Sequence, residues 1–378
     1  MRTQRAQRFG LKKRTVERWI MSKFFSKKFA ALTPYVPGEQ PKDMQYVKLN
    51  TNESPFPPPQ SVVDAAKTDA AKAQLYSDPE CTLLVEKAAQ TFGVNKRMVL
   101  PTNGSDEILN FAFMAFCDKN TPVIFPDISY GFYEVFAQLH AIDYRKVPLK
   151  ADFSIDYRDY LHAGGTVVIA NPNAPTGLCL SLQEIEEIVK GNPDNVVIID
   201  EAYVDFGGES AVPLVHKYDN LLVTQTFSKS RSLAGARLGL GIACESLIAD
   251  LNTLKYSTNP YNVNRMTAAA GYAALCEKEY FDAKCLEICK NREYTAKALR
   301  EMGFEVLPSK ANFLFAKSEK IDGAALYEKL KARGVLVRHF TAERISAFNR
   351  ITIGTKAQMD VFLKNVREIL EETEDEKR

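Results

Sequence analysis

Between residues 95 and 245 the chain returns again and again to short apolar runs that do not alternate with polar residues, and nothing else in it restricts the fold as strongly. The runs fall at 121–125, 166–170, 196–199, 221–226 and 238–243, and several are rich in β-branched side chains. A strand with one wet face alternates polar and apolar positions, whereas a strand apolar on both faces has to be covered on both. Between the runs lie stretches with helical spacing, such as 106–116 and 182–189. The second is opened by Ser181 with Glu184 three residues on, a capping-box pattern. Strand–helix alternation predicts an α/β domain, a mostly parallel sheet covered by helices on both faces with right-handed crossovers. Ligands of such sheets bind beyond the carboxyl ends of the strands, so the residues just after each run carry the functional information.

After about residue 246 helical spacing dominates. Short strand-like segments follow at 312–316, 335–338 and 350–353, then a charged C-terminal helix, which predicts a smaller α+β domain. The chain of 378 residues is long enough for two cores. The expected division is a disordered basic extension over 1–30, an arm over 31–50 packing with the small domain, a large domain over 51–250 and a small one over 251–378.

Charge is unevenly placed. The formal net charge is +2, yet residues 1–30 hold ten Lys/Arg against the single acid Glu17, which leaves the rest of the chain at −7. An acidic body gives nucleic acid no footing as the main partner. The head has few serines and no aromatics beyond Phe9 and Trp19 among its bases, apart from the phenylalanines that follow Met21. It reads as an extension ahead of Met21 rather than as a transit peptide or a nucleic-acid arm. No apolar run nears the roughly 20 residues that cross a bilayer, so no membrane partner is expected. The seven cysteines are scattered, with no C-x-x-C pair and no histidine at ligand spacing. They predict free thiols in a reducing cytoplasm, no disulfide and no metal.

Four strand ends or helix starts carry unusual chemistry: Thr102-Asn103-Gly104-Ser105-Asp106, Asn171-Pro172-Asn173-Ala174-Pro175-Thr176-Gly177, Asp200-Glu201-Ala202-Tyr203, and Phe227-Ser228-Lys229-Ser230-Arg231 with Arg237 beyond. Singly, each has an ordinary explanation: a helix cap, a turn, a solvated lysine. Together they suit one ligand. Gly104, Ser105 and Asp106 open a helix whose free N–H groups can hold a phosphate, with Ser228 and Arg237 as further donors. Asp200, ending a buried strand, suits a pyridine nitrogen that must stay protonated. Tyr203 and an asparagine of the 171–177 turn can donate to a phenolate oxygen. Lys229 follows a buried strand, where its amine is held partly neutral and can condense with an aldehyde. Phosphate, pyridinium, phenolate and aldehyde together describe pyridoxal phosphate.

Further segments stand in the same order along the chain: Leu32-Thr33-Pro34-Tyr35-Val36-Pro37-Gly38-Glu39-Gln40-Pro41, Leu49-Asn50-Thr51-Asn52-Glu53-Ser54-Pro55 and Arg350-Ile351-Thr352-Ile353-Gly354. With them, the chain from Leu32 onward resembles the class I/II, fold type I pyridoxal-phosphate aminotransferases, and among these the histidinol-phosphate aminotransferases. The resemblance implies catalytic roles for Lys229, Asp200 and Tyr203, and a stacking role for Tyr130 on the cofactor ring. It implies that Tyr76 reaches the cofactor phosphate of a neighbouring subunit, making a homodimer with a shared active site. Arg350 would bind a substrate carboxylate, and Tyr35, Arg338 and Asn52 would help hold the substrate. The implied reaction passes an amino group from histidinol phosphate to 2-oxoglutarate in histidine biosynthesis. One departure stands out: the family has Asn directly before Pro-Thr-Gly, where this chain has Ala174, so either Asn173 swings into that role or Tyr203 serves the phenolate with less help. An aromatic or broad-range aminotransferase and a threonine-phosphate decarboxylase share the cofactor motifs. A non-catalytic binding module on the same fold is the alternative of another class.

Overall fold

The computed structural model describes residues 22–30 and 32–376. The expectation of disorder in the basic head therefore falls, for residues 1–21, outside the described residues. In chain order the strands are β1 (Val47–Lys48), β2 (Val99–Thr102), β3 (Val123–Pro126), β4 (Tyr144–Val147), β5 (Thr166–Ala170), β6 (Val197–Asp200), β7 (Leu221–Thr226) and β8 (Gly239–Ala243). After them come β9 (Phe304–Val306), β10 (Phe313–Ser318), β11 (Val335–Leu336), β12 (Arg338–His339) and β13 (Asn349–Thr352).

Strands β2 to β8 form one sheet in the order β2-β8-β7-β6-β5-β3-β4. Its central pairs are parallel, and β8 alone runs antiparallel to both its neighbours. Each of the five apolar runs is a strand, within two residues of the expected ends. Strands β2 and β4 escape the pattern because they are the edges. Residues 144–146 of β4 are exposed and polar or amphipathic, and β2 contains Pro101, a residue that sheets confine to edges.

Alternation along β6 decides which face each residue serves. Val197 and Ile199 join the core under helix Leu182–Lys190, whereas Ile198 joins the core under helices Ser105–Phe116 and Phe132–His140. Asp200 falls on the face of Ile198, where Tyr133 waits. Fully buried Val and Ile side chains are each worth roughly 1.5–3 kcal/mol, and rows of them in β5, β6 and β7 offset the cost of ending a strand on a buried carboxyl. Helix Leu182–Lys190 carries the expected capping box between Ser181 and Glu184.

The second sheet is antiparallel, in the order β12-β13-β10-β9, and packs against helices Lys278–Glu301, Gly323–Ala332 and Lys356–Glu376. The segment expected as one strand over 335–338 is split. Val335–Leu336 pairs with β1 of the arm, and Arg338–His339 pairs with β13. The arm thus joins the small domain through Val47 and Leu49, while Tyr35 stacks on Phe132 of the large one at 4.3 Å. The expected boundary at 250 needs moving. Helices Glu245–Thr258 and Arg265–Cys276 share cores with the large sheet, and the change of core comes inside helix Lys278–Glu301, between Phe281 and Cys285.

Candidate active site

A cleft of about 280 Å³ opens at the carboxyl ends of β5, β6 and β7, with Lys229, Asp200, Tyr203, Tyr130, Ser105 and Arg237 in its walls. Sheet order makes it: β6 delivers Asp200, and the turn after β7 delivers Ser228 and Lys229 to the same rim.

One end is built for an anion. Gly104 sits at φ 82° ahead of helix Ser105–Phe116, and a Cβ there would lie 2.7 Å from Arg237 Nη2. Only glycine permits that backbone and that approach together. A Cβ on Gly239 would meet the Ser105 nitrogen at 2.3 Å, so β8 backs directly onto the helix start. Arg237 donates to Asp106 Oδ2 at 3.1 Å and to Ser228 Oγ at 3.4 Å. Asp106 also accepts from Tyr130 Oη at 2.8 Å, so its charge is balanced before any ligand arrives. Free N–H groups at a helix start, a hydroxyl and a guanidinium fit a phosphate.

The middle holds Asp200, which accepts from Tyr133 Oη at 2.9 Å on one oxygen and from Thr224 Oγ1 at 3.1 Å on the other. Burial pushes its carboxyl up to about 6, against the pull of these two donors. Tyr203 accepts from Asn52 Nδ2 at 2.9 Å and meets the Phe313 ring edge-on. Tyr130 meets the Tyr133 ring at 87°.

Lys229 donates from Nζ to the Thr51 carbonyl at 3.1 Å. Burial, and then the nearby Arg350 cation, bring its amine down to about 8. Recombination of the apoprotein with pyridoxal phosphate should therefore speed up roughly tenfold per pH unit below pH 8 and level off above it, because only the neutral amine attacks an aldehyde. Stopped-flow absorbance measures this; a rate still climbing steeply past pH 9.5 contradicts it.

On the small-domain side, Arg350 and Arg338 lie opposite each other across β12 and β13. Arg350 donates to the Asn50 carbonyl at 2.8 Å, and Arg338 to the carbonyls of Pro37 and Val36 at 3.4 Å. Arg350 Nε is buried without a partner among the described residues. Two adjacent cations held by backbone carbonyls, one with an orphaned donor, are suited to an anion. Tyr35 lies within electrostatic reach of both.

The expected substrate residues Tyr35, Asn52, Arg338 and Arg350 lie outside the lining of this cleft, and two residues expected at the cofactor also turn elsewhere. Asn173 ties its own turn to the segment after β3, donating to the Ile128 carbonyl and Thr176 Oγ1 and accepting from Ser129 Oγ, while Ala174 lines the cleft. Tyr76 is 79% exposed and stacked on Tyr261 at 4.5 Å, outside the chain's own cleft. Sequence reasoning missed Tyr133, Thr224 and Thr51. A tyrosine on an apolar helix face and a threonine within a strand both read as core, and no local pattern tells them apart from it.

A helix start suited to a phosphate, a buried carboxyl, a hydroxyl and a lysine of lowered basicity at the carboxyl ends of the central strands define a pyridoxal-phosphate enzyme of the α/β type. The family described as aminotransferase class I and II matches residues 44–366, and the chain belongs to it. Histidinol-phosphate aminotransferase of Brachyspira hyodysenteriae is 47% identical over 93% of this chain and 99% of its own length. Histidinol-phosphate aminotransferase 1 of Pseudomonas fluorescens is 47% identical over 92% of this chain and 100% of its own. Among solved structures, the histidinol-phosphate aminotransferase of Sinorhizobium meliloti in complex with pyridoxal-5'-phosphate superposes with a TM-score of 0.85 at 23% identity, covering 93% of this chain and 99% of its own. The L-threonine-O-3-phosphate decarboxylase of Porphyromonas gingivalis gives 0.76 at 22%, covering 86% of this chain and 99% of its own. The fold alone does not choose between these chemistries.

Proposed function

We propose that the protein transfers the amino group of histidinol phosphate to 2-oxoglutarate, giving imidazole acetol phosphate and glutamate, with pyridoxal phosphate as cofactor. The observation that carries the choice of substrate is the Arg338–Arg350 pair with its unpartnered buried Nε. Histidinol phosphate ends in a phosphate and glutamate in carboxylates, and one pocket must serve both halves of the cycle. A planar guanidinium fork takes either anion in two-point fashion.

When bound, pyridoxal phosphate supplies an aldehyde that takes up the amino group and a pyridinium that accepts electrons from the adjacent carbon. The residues do the rest. Ser105, Ser228 and Arg237 would hold the phosphate, and the Asp200 carboxylate would hold the proton on the ring nitrogen. Tyr130 would cover the ring, and Tyr203 would donate to its phenolate oxygen. Lys229 Nζ, usable as a base near neutral pH, moves the proton at the carbon bearing the amino group.

A coupled assay with 2-oxoglutarate, offering histidinol phosphate, phenylalanine or threonine phosphate as donor, tests the reading. Histidinol phosphate should give the highest kcat/KM, and Arg338→Ala should lower it at least about tenfold through loss of a charge-assisted contact. Release of CO₂ from threonine phosphate, or a better rate with phenylalanine, points instead to one of the other chemistries of the fold.

The working unit is a homodimer with Tyr76 serving the partner's cleft. The exposed Leu75, Tyr76 and Tyr261 support this, since large apolar groups clustered at a surface are ordinarily covered. Mixing Lys229→Ala with Tyr76→Ala subunits should then restore up to about a quarter of wild-type activity, because mixed dimers contain one intact site. Activity equal to the mean of the two parents excludes a shared site. Among the described residues no helix is long and apolar enough to cross a membrane. A cytoplasmic location is inferred from the biosynthetic reaction.

A further inference from the structure

Asn52 was expected on the substrate side, yet its hydrogen bonds lead elsewhere. It is 1% exposed, holds φ 56°, and bridges the small domain to Tyr203. Its backbone N–H donates to Thr352 Oγ1 at 3.0 Å, and Thr352 Oγ1 in turn donates to Asn52 Oδ1 at 2.9 Å. Its Nδ2 donates to Tyr203 Oη at 2.9 Å, and its own carbonyl accepts from Asn312 Nδ2 at 3.0 Å.

These bonds have a polarity. Thr352 has one hydroxyl proton, and that oxygen already accepts from the Asn52 N–H, so the proton goes to Asn52 Oδ1. The amide is thereby oriented with Nδ2 toward Tyr203. A flipped amide would leave the Thr352 proton without an acceptor at a site 3% exposed, a costly arrangement. Because Tyr203 Oη accepts from Asn52, its single proton points away from Asn52. Ala170, Ala174 and Ala202 line the same cleft and bring no donor side chain.

We propose that Thr352 and Asn52 form a relay that makes the Tyr203 hydroxyl a committed donor into the cleft, so that Asn52 is a positioning residue for Tyr203 and not a substrate contact. The proposal rests on the cofactor reading above, in which Tyr203 donates to the phenolate oxygen. It gives the segment just after the arm and strand β13, which also carries Arg350, a direct hold on the chemistry of the cleft. With Asn173 bonded to Ile128, Ser129 and Thr176 and Ala174 in the wall, this hold falls to Tyr203.

The test is the pH midpoint of the visible absorption band of the purified holoenzyme, a readout independent of turnover. A donor to the phenolate stabilises its negative charge, so losing that donor raises the midpoint, by roughly 0.5–1 unit for one hydrogen bond. Tyr203→Phe sets the reference shift. Asn52→Gly, which suits the positive φ, and Thr352→Val should shift the midpoint in the same direction. Thr352→Ser, which keeps the hydroxyl, should stay at the wild-type value. Asn52→Gly should add nothing in a Tyr203→Phe background. The relay is overturned if Asn52→Gly leaves the midpoint unmoved and only raises KM for the amino donor, or if its shift adds in full to that of Tyr203→Phe. Should Asn52→Gly not fold, the Val/Ser pair at Thr352 decides: equal midpoints reject the relay. A wild-type protein with no visible band at all rejects the cofactor reading instead, so the two failures are distinct.

Discussion

Lys229→Ala should lower the transamination rate by on the order of 10⁴-fold or more and remove the visible absorption band of the holoenzyme. The size follows from two losses at one atom. In the proposed mechanism Nζ is the nucleophile that captures the aldehyde, and it is the base that moves the proton at the carbon bearing the amino group. Folding should survive, since the side chain gives up a single hydrogen bond, that to the Thr51 carbonyl, and a partly buried amine. Circular dichroism and thermal unfolding check the fold, while borohydride reduction followed by mass measurement checks the bond to the chain. A variant within tenfold of wild type, or one that keeps the band, would take Lys229 out of the chemistry.

Asp200→Asn should cost about 10²–10³-fold in kcat, the scale of losing one oriented electrostatic partner in a dry site. Cofactor affinity should fall much less, because the phosphate cradle of Ser105, Ser228 and Arg237 is untouched. The same substitution separates catalysis from stability. The Asp200 carboxyl is raised from its ordinary value of 3.8 to about 6 in the fold, chiefly by burial. A folded value above the unfolded one gives stability that is fully present below pH 3.8 and lost as pH rises through about 6. At pH 8 the apoprotein therefore carries an unfavourable buried charge, and Asp200→Asn should melt at the same temperature or higher while being nearly inactive. In the holoenzyme the protonated ring nitrogen favours the carboxylate and brings its value down. A lower melting temperature for the apo variant at pH 8 would mean that the Tyr133 and Thr224 hydrogen bonds outweigh the burial cost.

The chemistry of the cleft was legible wherever a residue's job depends on its place in a strand-and-turn pattern. Asp200 closes an apolar run, Lys229 and Ser228 follow one, and Gly104 to Asp106 open a helix, so the sheet brings them to one rim whatever the details. Arg237 was legible only as one donor among several. Its position depends on Gly104 and Gly239 letting β8 and the helix start close to van der Waals contact. The edge strands and the late domain boundary were not legible. An edge strand needs no apolar run, and a long helix passing from one core to another has no break to mark the change.

The asparagines show the limit most sharply. The sequence offered Asn173 to the cofactor and Asn52 to the substrate, and the fold gives both amides other partners. An amide's hydrogen bonds depend on which backbone and hydroxyl groups lie within about 3 Å, and no pattern of neighbours along the chain contains that information. By itself the sequence determined the α/β sheet, because only cover on both faces suits unbroken apolar runs, and with it the gathering of Lys229, Asp200 and the helix start at Ser105 and Asp106 on one rim. Tertiary structure alone decided that Tyr133 and Thr224 hold Asp200, that Thr51 and Asn52 hold Lys229 and Tyr203, and that Arg338 faces Arg350. The hydrogen bonds among these join segments 24 to 178 residues apart and the arginine pair is set by strand register, so all arise from packing and register rather than from local preference.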